Sequence, residues 1–438
     1  MSFSQMMKNS IFEFAKDVRG IYFKATIPAH SKKIRERIKA NYEKTNTITV
    51  VFIAQFPEMW NSERTLVKRL ENSENVKTYI LCIPKCKKNR KNAYDQAVFY
   101  NDNEAYQYLR EIHHNVIDSR KNVNIGFDSK RELKEEEIVW YELGSLKPDY
   151  IFVQRPYEME RPKCYSDSKI TKYGRLCYIP YGYCLTKGTH VKIELRDRFM
   201  ARCNLFFAEC DYKEQYFKDH CRINTNKVIC KGYPRFEHLL NRMNVVAIND
   251  SKTVLWTPRW SVSDKNDKSH FIEYVDVLLK YFNEHKQYSL IIRPHPLMFS
   301  NFIKNNIITE EEVERFYKTV NKSDNIYLDS ETDYSYSFCK SSILLSDYTS
   351  LLIEYFITEK PVVYCGKTDH FTNEMLTVSK TFYLVNNQNE MLNSLDSLLK
   401  GYDKNAILRK DIIPQIVNNH ISASENIYHA LLEDASGK

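Results

Sequence analysis

The sequence predicts an α/β protein with two Rossmann-like domains that face each other across a cleft, preceded by a helical N-terminal appendage. Its 438 residues, 43% of them hydrophobic, exceed one typical domain and can bury two substantial cores. From residue 47 onward, short apolar runs alternate with helical stretches. Strands that are apolar throughout form parallel sheets covered on both faces. Ligands of such folds bind at the carboxyl ends of the strands, so functional side chains are expected there.

Residues 1–45 are predicted to form a basic amphipathic helical segment. Apolar residues recur at three- and four-residue steps before Pro28, and a second short run follows it. These residues are Phe3, Met7, Ile11, Phe14, Val18 and Ile21, then Ile34, Ile38 and Tyr42. The segment has ten basic and four acidic side chains and so supplies six of the net +8 charges. Either it lies in an anionic membrane interface, where each basic side chain gains roughly 1 kcal/mol, or it packs on the protein core.

The rest of the chain is close to neutral, which argues against a nucleic-acid-binding surface. No window approaches the roughly 18 consecutive apolar residues of a membrane-spanning helix, and the N-terminus lacks the apolar core of a secretion signal. We therefore expect a cytoplasmic protein that is peripheral on the inner face of the cell membrane. The eleven cysteines fit that compartment, because their number is odd and their spacings follow no zinc-binding pattern, and they are predicted to be reduced and structural. Neither a metal nor a cofactor is expected.

Two series of predicted strands define the two domains. The first comprises Thr47–Ile53, Lys77–Ile83, Asp149–Gln154, Leu176–Ile179 and Asn204–Glu209. The second comprises Lys227–Cys230, Thr253–Thr257, Tyr288–Arg293, Asn325–Leu328, Ser342–Ser346 and Pro361–Tyr364. The join near residues 220–226 predicts domains over residues 46–223 and 224–405. A C-terminal helical segment is predicted over residues 406–438, and its helix around Ser424–Leu432 is expected to cross back to the first domain.

Residues 342–369 carry the strongest chemical signal. A buried strand ends in the polar turn Ser346–Ser350, where a helix begins with Thr349 or Ser350 at its cap. The first amides of a helix are unpaired donors at the positive end of its dipole, so a diphosphate fits this environment. Glu354 lies one helical turn later, where a carboxylate can accept hydrogen bonds from a ribose. An ordinary N-cap without a ligand is the alternative.

Three further strand ends carry polar residues. The run Leu290–Pro296 ends a strand in Arg293 and His295. Arginine can bridge phosphate oxygens, and histidine can donate to a phosphoryl oxygen or exchange a proton near neutral pH. A capped loop with a surface histidine is the alternative. Two shorter turns place Gly232 and Arg259 at the same predicted edge, and each is a weak signal by itself.

In this order, the segments closely resemble the CDP-glycerol glycerophosphotransferase family of teichoic acid and capsular polymer synthesis, whose fold is GT-B-like. The matching segments are Gly232-Tyr233-Pro234, Thr257-Pro258-Arg259, Arg293-Pro294-His295-Pro296 and Ser346-Asp347-Tyr348-Thr349-Ser350, with Glu354, Lys360 and Pro361. The resemblance is sharp over residues 225–370, looser over residues 48–220, and does not cover residues 1–45. It implies that glycerol phosphate, or a related alditol phosphate, passes from a CDP-activated donor to a hydroxyl of a polymer, glycan or lipid-linked acceptor, with release of CMP.

The resemblance also implies roles for single residues. Thr349 and Ser350 would hold the pyrophosphate, and Glu354 would hold the ribose. Arg293 and His295 would stabilise charge near the transferred phosphorus. The remaining residues assigned to the donor site are Ser346, Asp347, Arg259 and Gly232. Of these, Asp347 is expected to shape the turn, because its charge would repel a phosphate.

The sequence departs from the family in one segment of the first domain. Many members have Trp-His-Gly there, with a histidine that is a candidate base, whereas this chain has Tyr181-Gly182-Tyr183. Tyr181 and Tyr183 are therefore assigned to the acceptor side. Glu58, after the first strand, and His190 are alternative bases, and Glu58 is placed among the catalytic residues. A loose transition state would need no base.

Two other functions remain open from the sequence alone. A glycosyltransferase of the same fold would transfer a sugar from a nucleotide sugar during surface polysaccharide synthesis. A noncatalytic basic protein would instead bind acidic lipid or RNA through residues 1–45. Only the two enzyme hypotheses require the polar side chains at the strand ends.

Overall fold

The computed structural model describes residues 3–91, 95–122, 131–229, 232–245, 252–262 and 268–438, with the side chains of residues 3–17 and 245 excluded. The chain forms two compact units. The first unit comprises the residues up to Tyr181, then Gly188–Pro234 and Ser422–Lys438. The second unit comprises Gly182–Lys187 and Arg235–Ile421. The main transition therefore falls after Pro234, later than residue 223.

The described strands of the first unit form two sheets. They are β1 (Ile48–Ala54), β2 (Val76–Cys82), β3 (Cys86–Lys88), β4 (Val98–Tyr100), β5 (Val116–Asp118), β6 (Glu132–Lys134), β7 (Tyr150–Val153), β8 (Arg175–Tyr178), β9 (Cys203–Phe207) and β10 (Lys227–Ile229). The larger sheet is parallel, in the order β10-β9-β8-β7-β1-β2-β5. The smaller sheet is antiparallel, in the order β3-β4-β6.

The second unit contains one parallel sheet in the part of the chain that the structure describes. Its strands are β11 (Thr253–Thr257), β12 (Ser289–Ile292), β13 (Ile326–Leu328), β14 (Ile343–Ser346), β15 (Val362–Tyr364) and β16 (Tyr383–Leu384). They lie in the order β13-β12-β11-β14-β15-β16. The central strands β11, β14 and β15 are buried along their whole length, as expected for a sheet with helices on both faces.

Helices connect the strands of both units. Those before the transition are α1 (Phe3–Thr45), α2 (Arg64–Glu71), α3 (Glu104–Leu109), α4 (Asp167–Ile170), α5 (Thr189–Glu194), α6 (Asp197–Arg202) and α7 (Asp211–His220). Those that follow are α8 (Pro234–Val245), α9 (Phe271–Glu284), α10 (Met298–Lys304), α11 (Glu310–Asn321), α12 (Ser335–Lys340), α13 (Leu351–Phe356), α14 (Asn373–Ser379), α15 (Gln388–Leu399), α16 (Ala406–Val417) and α17 (Ala423–Ser436). Helix α17 packs against α1 and α2 of the first unit. Within the described ranges, no helix combines the length and apolar character needed to cross a bilayer.

Both parallel sheets have the strand order of a doubly wound Rossmann fold, and the predicted α/β class with two such domains is confirmed. In the first sheet the strands are added outward from β1 on one side, and the order then reverses, so that β7 is added on the other side of β1. In the second sheet the reversal lies between β11 and β14. Ligands of open α/β sheets bind outside the carboxyl ends of the strands at these reversal points.

One strand assignment was wrong. The run Lys227–Cys230 was placed at the start of the second series, but Lys227–Ile229 pairs with β9 and ends the first sheet. Cys230 lies outside the described residues. The antiparallel sheet was not predicted, because its three-residue strands are too short to show a period of two.

Helix α1 continues through Pro28 without a break. Proline removes one backbone hydrogen bond, but a long helix held by packing on both sides can contain it. Phe23, Ile34 and Ile38 are buried, which supports core packing for this part of the helix. Ile21, two residues before the buried Phe23, is exposed and lies on a different face of the helix.

Candidate active site

The reversal point of the second sheet brings β11 and β14 together. Thr257 and Ser346 are register partners at the ends of these strands, and Thr257 Oγ1 donates to Ser346 Oγ at 2.6 Å. Ser346 is fully buried, and its own hydroxyl donates to the backbone carbonyl of Asp347 at 2.7 Å. The prediction that Ser346 contacts the donor is therefore corrected, because its side chain joins the two strands.

Asp347 holds the loop that follows β11. Its Oδ2 accepts from the backbone N–H of Arg259 at 2.8 Å, and its Oδ1 lies 2.6 Å from His270 Nδ1. The carboxylate is buried among these donors. This arrangement agrees with a role in shaping the turn and not with direct contact to a phosphate.

Arg259 lies over the turn that Asp347 organises. Its Nη1 donates to the carbonyl of Tyr348 at 2.8 Å, and its guanidinium lies 4.7 Å from the centre of the Tyr348 ring. Tyr348 is in turn anchored through its hydroxyl, 3.1 Å from Thr186 Oγ1. A half-buried arginine is thus fixed directly beside the strand end of β14.

Thr349 and Ser350 form the entry to helix α13 and remain partly exposed. Thr349 Oγ1 accepts from the backbone N–H of Leu351 at 3.4 Å. Gly182 adjoins this turn, since a Cβ at that position would lie 3.6 Å from Ser350 Oγ. The two hydroxyls, with Arg259 beside them, therefore provide partly exposed polar groups at the reversal point of the sheet.

Arg293 follows β12 but turns toward the loop after β13. Its Nη1 forms an ion pair with Asp329 Oδ2 at 2.8 Å, and its Nη2 donates to the carbonyl of Glu331 at 2.8 Å. Its guanidinium also lies 5.4 Å from the Tyr334 ring centre. Arg293 is predicted to stabilise charge near the transferred phosphorus, and in the structure both of its terminal nitrogens contact protein groups.

His295 keeps solvent exposure in the loop after β12. Its backbone N–H donates to the carbonyl of Pro258 at 3.1 Å, and its Nδ1 accepts from the N–H of Leu297 at 3.1 Å. Partial burial of the ring, the larger cause, and the charge of Arg259, the smaller one, lower the pKa of His295 to about 4. The imidazole is therefore neutral at pH 7 and carries its proton on Nε2, where it can donate one hydrogen bond.

Glu354 has no exposed surface. Its Oε1 accepts from Arg235 Nη1 at 3.3 Å, and its Oε2 accepts a short hydrogen bond from the hydroxyl of Tyr334. Burial raises the pKa of this carboxyl, against the opposing effect of Arg235. The predicted ribose contact is therefore corrected: Glu354 is an internal anchor between α13, the start of α8 and the loop before α12.

Lys360 is also structural. Its Nζ donates to the carbonyls of Phe338, Cys339 and Ser341 at 2.7, 3.0 and 2.6 Å. These carbonyls lie at the C-terminal end of α12, where a cation is favourable. Burial lowers the pKa of Lys360 to about 8.

Of the two tyrosines assigned to the acceptor side, Tyr183 belongs to the second unit. Its ring stacks on Phe236 at 5.2 Å, and its hydroxyl donates a short hydrogen bond to Glu374. The assignment of Tyr183 to the first domain is therefore corrected, because the chain enters the second unit at Gly182. Tyr181 stays in the first unit, with its hydroxyl 3.2 Å from that of Tyr157.

The remaining predicted residues also lie in the first unit. Glu58 is in a short 3-10 helix after β1, and its Oε2 lies 3.3 Å from Lys85 Nζ. His190 is exposed on α5. Gly232 has φ of 101°, a backbone conformation that favours glycine, just before α8. No role is predicted for Arg155 from the sequence, although it lies two residues after the end of β7, where ligands of such sheets bind.

The two doubly wound parallel sheets place the chain in the class of GT-B-like α/β folds. Solved structures share this fold. The chain is similar to a UDP-N-acetylglucosamine 2-epimerase, with 14% identity, coverage of 90% of this chain and 97% of that one, and a TM-score of 0.57. It is also similar to the wall teichoic acid polymerase TagF, with 16% identity, 98% coverage of both chains and a TM-score of 0.54. The UDP-GlcNAc-bound 2-epimerase from Neisseria meningitidis has 14% identity, coverage of 88% and 100%, and a TM-score of 0.54.

A comparison with curated protein sequences found no match. The family described as CDP-Glycerol:Poly(glycerophosphate) glycerophosphotransferase matches residues 184–410, more than half of the chain. The chain belongs to this family, and the resemblance inferred from the strand-end segments is confirmed. It is therefore an enzyme of the glycerophosphotransferase class. This membership argues against the sugar-transferring and noncatalytic alternatives.

Proposed function

We propose that the protein transfers glycerol phosphate from CDP-glycerol to a hydroxyl of a poly(glycerol phosphate) or lipid-linked acceptor in teichoic acid or capsule synthesis. The observation that carries this proposal is the family match over residues 184–410, which spans the edge formed by Arg259, His295, Thr349 and Ser350. The acceptor oxygen attacks the phosphorus that bears glycerol. The bond from this phosphorus to the bridging oxygen breaks, and CMP leaves with that oxygen.

The second unit would hold CDP-glycerol through neutral and cationic hydrogen-bond donors. The hydroxyls of Thr349 and Ser350 suit the pyrophosphate oxygens, and Arg259 supplies positive charge beside the same turn. The neutral His295 can donate from Nε2 to a phosphoryl oxygen as charge develops. Such positioning and charge stabilisation account for most of the catalysis of phosphoryl transfer.

Arg293 and Glu354 would act as positioning residues. Arg293 fixes the loop after β13 through Asp329, and Glu354 fixes the adjoining segment through Tyr334. The two contacts hold the outer loops of the same sheet edge. Their removal should therefore disturb the geometry of the site without deleting a direct ligand contact.

In the proposed reaction a base accepts the proton of the acceptor hydroxyl. Glu58 remains our proposed base, since it follows β1 at the reversal point of the first sheet and is partly exposed. His190 is the alternative, on the exposed surface of α5. Substitution of each by glutamine, with turnover measured across pH, distinguishes them. Only replacement of the true base should remove the acidic limb of the pH–rate profile.

The enzyme is proposed to work at the inner face of an anionic membrane, where a lipid-linked acceptor is available. The support is the excess of basic side chains in residues 1–45 and the exposed apolar side chains of Val18, Ile21 and Tyr22 on α1.

The reaction is tested by incubating the purified protein with CDP-glycerol and a synthetic glycerol phosphate primer. We expect product masses that increase by one glycerol phosphate unit, with one CMP released for each addition. A panel of sugar nucleotides serves as the control. Transfer from a sugar nucleotide, without CMP release from CDP-glycerol, would contradict the proposal.

A further inference from the structure

The reversal point of the first sheet, between β1 and β7, is also fixed by side-chain hydrogen bonds. Gln154, directly after β7, accepts through Oε1 from the backbone N–H groups of Gln55 and Phe56 at 2.7 and 2.8 Å. Gln55 Nε2 donates to the carbonyls of Pro84 and Glu160 at 3.0 and 3.1 Å. The loops after β1 and β7 are thus fixed together at the place where such sheets bind ligands.

Arg155 lies between aromatic rings at this edge. Its guanidinium is 4.8 Å from the ring centres of Phe56 and Tyr157 and 5.7 Å from that of Tyr181. An arginine held over aromatic faces keeps the N–H groups in its plane as donors, and its fork matches the oxygens of a phosphate. About 22% of the side chain is exposed, so a ligand can reach it.

Glu160 is the acidic neighbour of this arginine. Its Oε2 forms an ion pair with Arg155 Nη1 at 2.8 Å. One pairing of this kind orients a guanidinium and leaves the N–H groups of its other terminal nitrogen for a ligand. The Tyr157 and Tyr181 hydroxyls, 3.2 Å apart, belong to rings beside the same guanidinium and add polar groups there.

We propose that Arg155, Tyr157 and Tyr181 form a subsite of the first unit that binds a phosphodiester group of a polyol phosphate acceptor chain. The guanidinium binds the phosphate, the rings pack against the carbon atoms of the polyol, and the phenols bond to its hydroxyls or to the phosphate. The inference rests on the proposed function for the identity of the acceptor. It adds a substrate-binding role for Arg155 and Tyr157 to the acceptor-side assignment of Tyr181. All three residues precede the family match, which begins at residue 184.

The test uses the full chain and a synthetic glycerol phosphate oligomer, with calorimetric binding in the absence of donor and steady-state kinetics in its presence. Arg155→Ala should weaken oligomer binding and raise the acceptor KM by roughly tenfold to a hundredfold, as for loss of a charged hydrogen bond. The donor KM should change by less than about twofold. Arg110→Ala, an exposed arginine of the same unit, is the matched control and should bind like the wild type.

Glu160→Gln separates ligand binding from packing. It removes the ion pair but keeps the arginine, so oligomer binding should be retained or tightened. Equal losses in Glu160→Gln and Arg155→Ala would overturn the subsite. If Arg155→Ala does not fold, Arg155→Lys and Tyr157→Phe replace it, and wild-type acceptor KM in both would also overturn the proposal. If the proposed function itself is wrong, the wild type will release no CMP from CDP-glycerol, and this result differs from every outcome for the subsite.

Discussion

Arg259 and His295 are coupled across neighbouring loops of the second unit. Partial burial and, after it, the charge of Arg259 lower the pKa of His295 to about 4. Because Nδ1 accepts from the N–H of Leu297, the neutral imidazole presents an N–H at Nε2. The protonation state of the histidine thus depends in part on the arginine beside it.

His295→Ala should reduce turnover by about a hundredfold, the typical cost of one lost donor to a developing oxyanion. Little change in thermal stability is expected, since the side chain is exposed. CMP release under saturating donor measures the effect. His285→Ala in the same unit is the control, and it should keep wild-type turnover.

Arg259→Gln should raise the pKa of His295 toward its usual value of about 6.5, because a neighbouring positive charge opposes protonation. An NMR titration of the imidazole between pH 3.5 and 8 measures the shift. An unchanged pKa would mean that the two side chains are not coupled.

Glu354→Ala should lower the free energy of unfolding of the second unit by about 3 to 5 kcal/mol, since it leaves the buried Arg235 without its carboxylate. Denaturant titration followed by tryptophan fluorescence measures this loss. Glu284→Ala removes a surface pair with Lys280 and should cost no more than about 0.5 kcal/mol. A stable Glu354→Ala protein with a raised donor KM would instead restore the ribose-binding role.

The sequence predicted the sheets well and the side-chain partners poorly. The runs that became β11 and β14 have apolar centres, Val254–Trp256 and Ile343–Leu345, so their strand type and burial follow largely from composition. Their polar ends were recognised because a strand end and a helix start are local features. The orientation of Arg293 was not predictable, since it depends on β13 lying next to β12, and the partner Asp329 is distant in sequence.

The same limit applies to Glu354 and Tyr183. Helical spacing placed Glu354 on the face of Ser350, but the burial of that face depends on Arg235 and Tyr334, which arrive from other elements. Tyr183 was assigned by its place in the chain order. Its contact with Glu374 is part of a six-residue stretch, Gly182–Lys187, that belongs to the second unit, while the chain on either side belongs to the first. No local sequence pattern indicates such an exchange.

His420 should make the second unit sensitive to acid. The imidazole is buried beside Tyr183 and Phe236, and burial lowers its pKa to about 4. The unfolded chain binds this proton at a pKa of about 6.5, so stability should fall as the pH decreases from 6.5 to 4, by roughly 3 kcal/mol in total. Urea midpoints at several pH values measure the loss. His420→Gln should flatten this dependence, whereas His220→Gln, at an exposed histidine, should leave it unchanged.

Ile21→Glu should weaken binding to anionic liposomes if helix α1 contacts the membrane. Ile21 is 69% exposed, so the substitution replaces an apolar contact with a charge that anionic lipid repels, without opening the protein core. Sedimentation with vesicles of phosphatidylglycerol and phosphatidylcholine, at low and high salt, measures binding. Ile407→Glu is the matched control, because Ile407 is 77% exposed in the second unit. Equal binding of the two variants, at the wild-type level, would show that the exposed face of α1 is not the membrane contact.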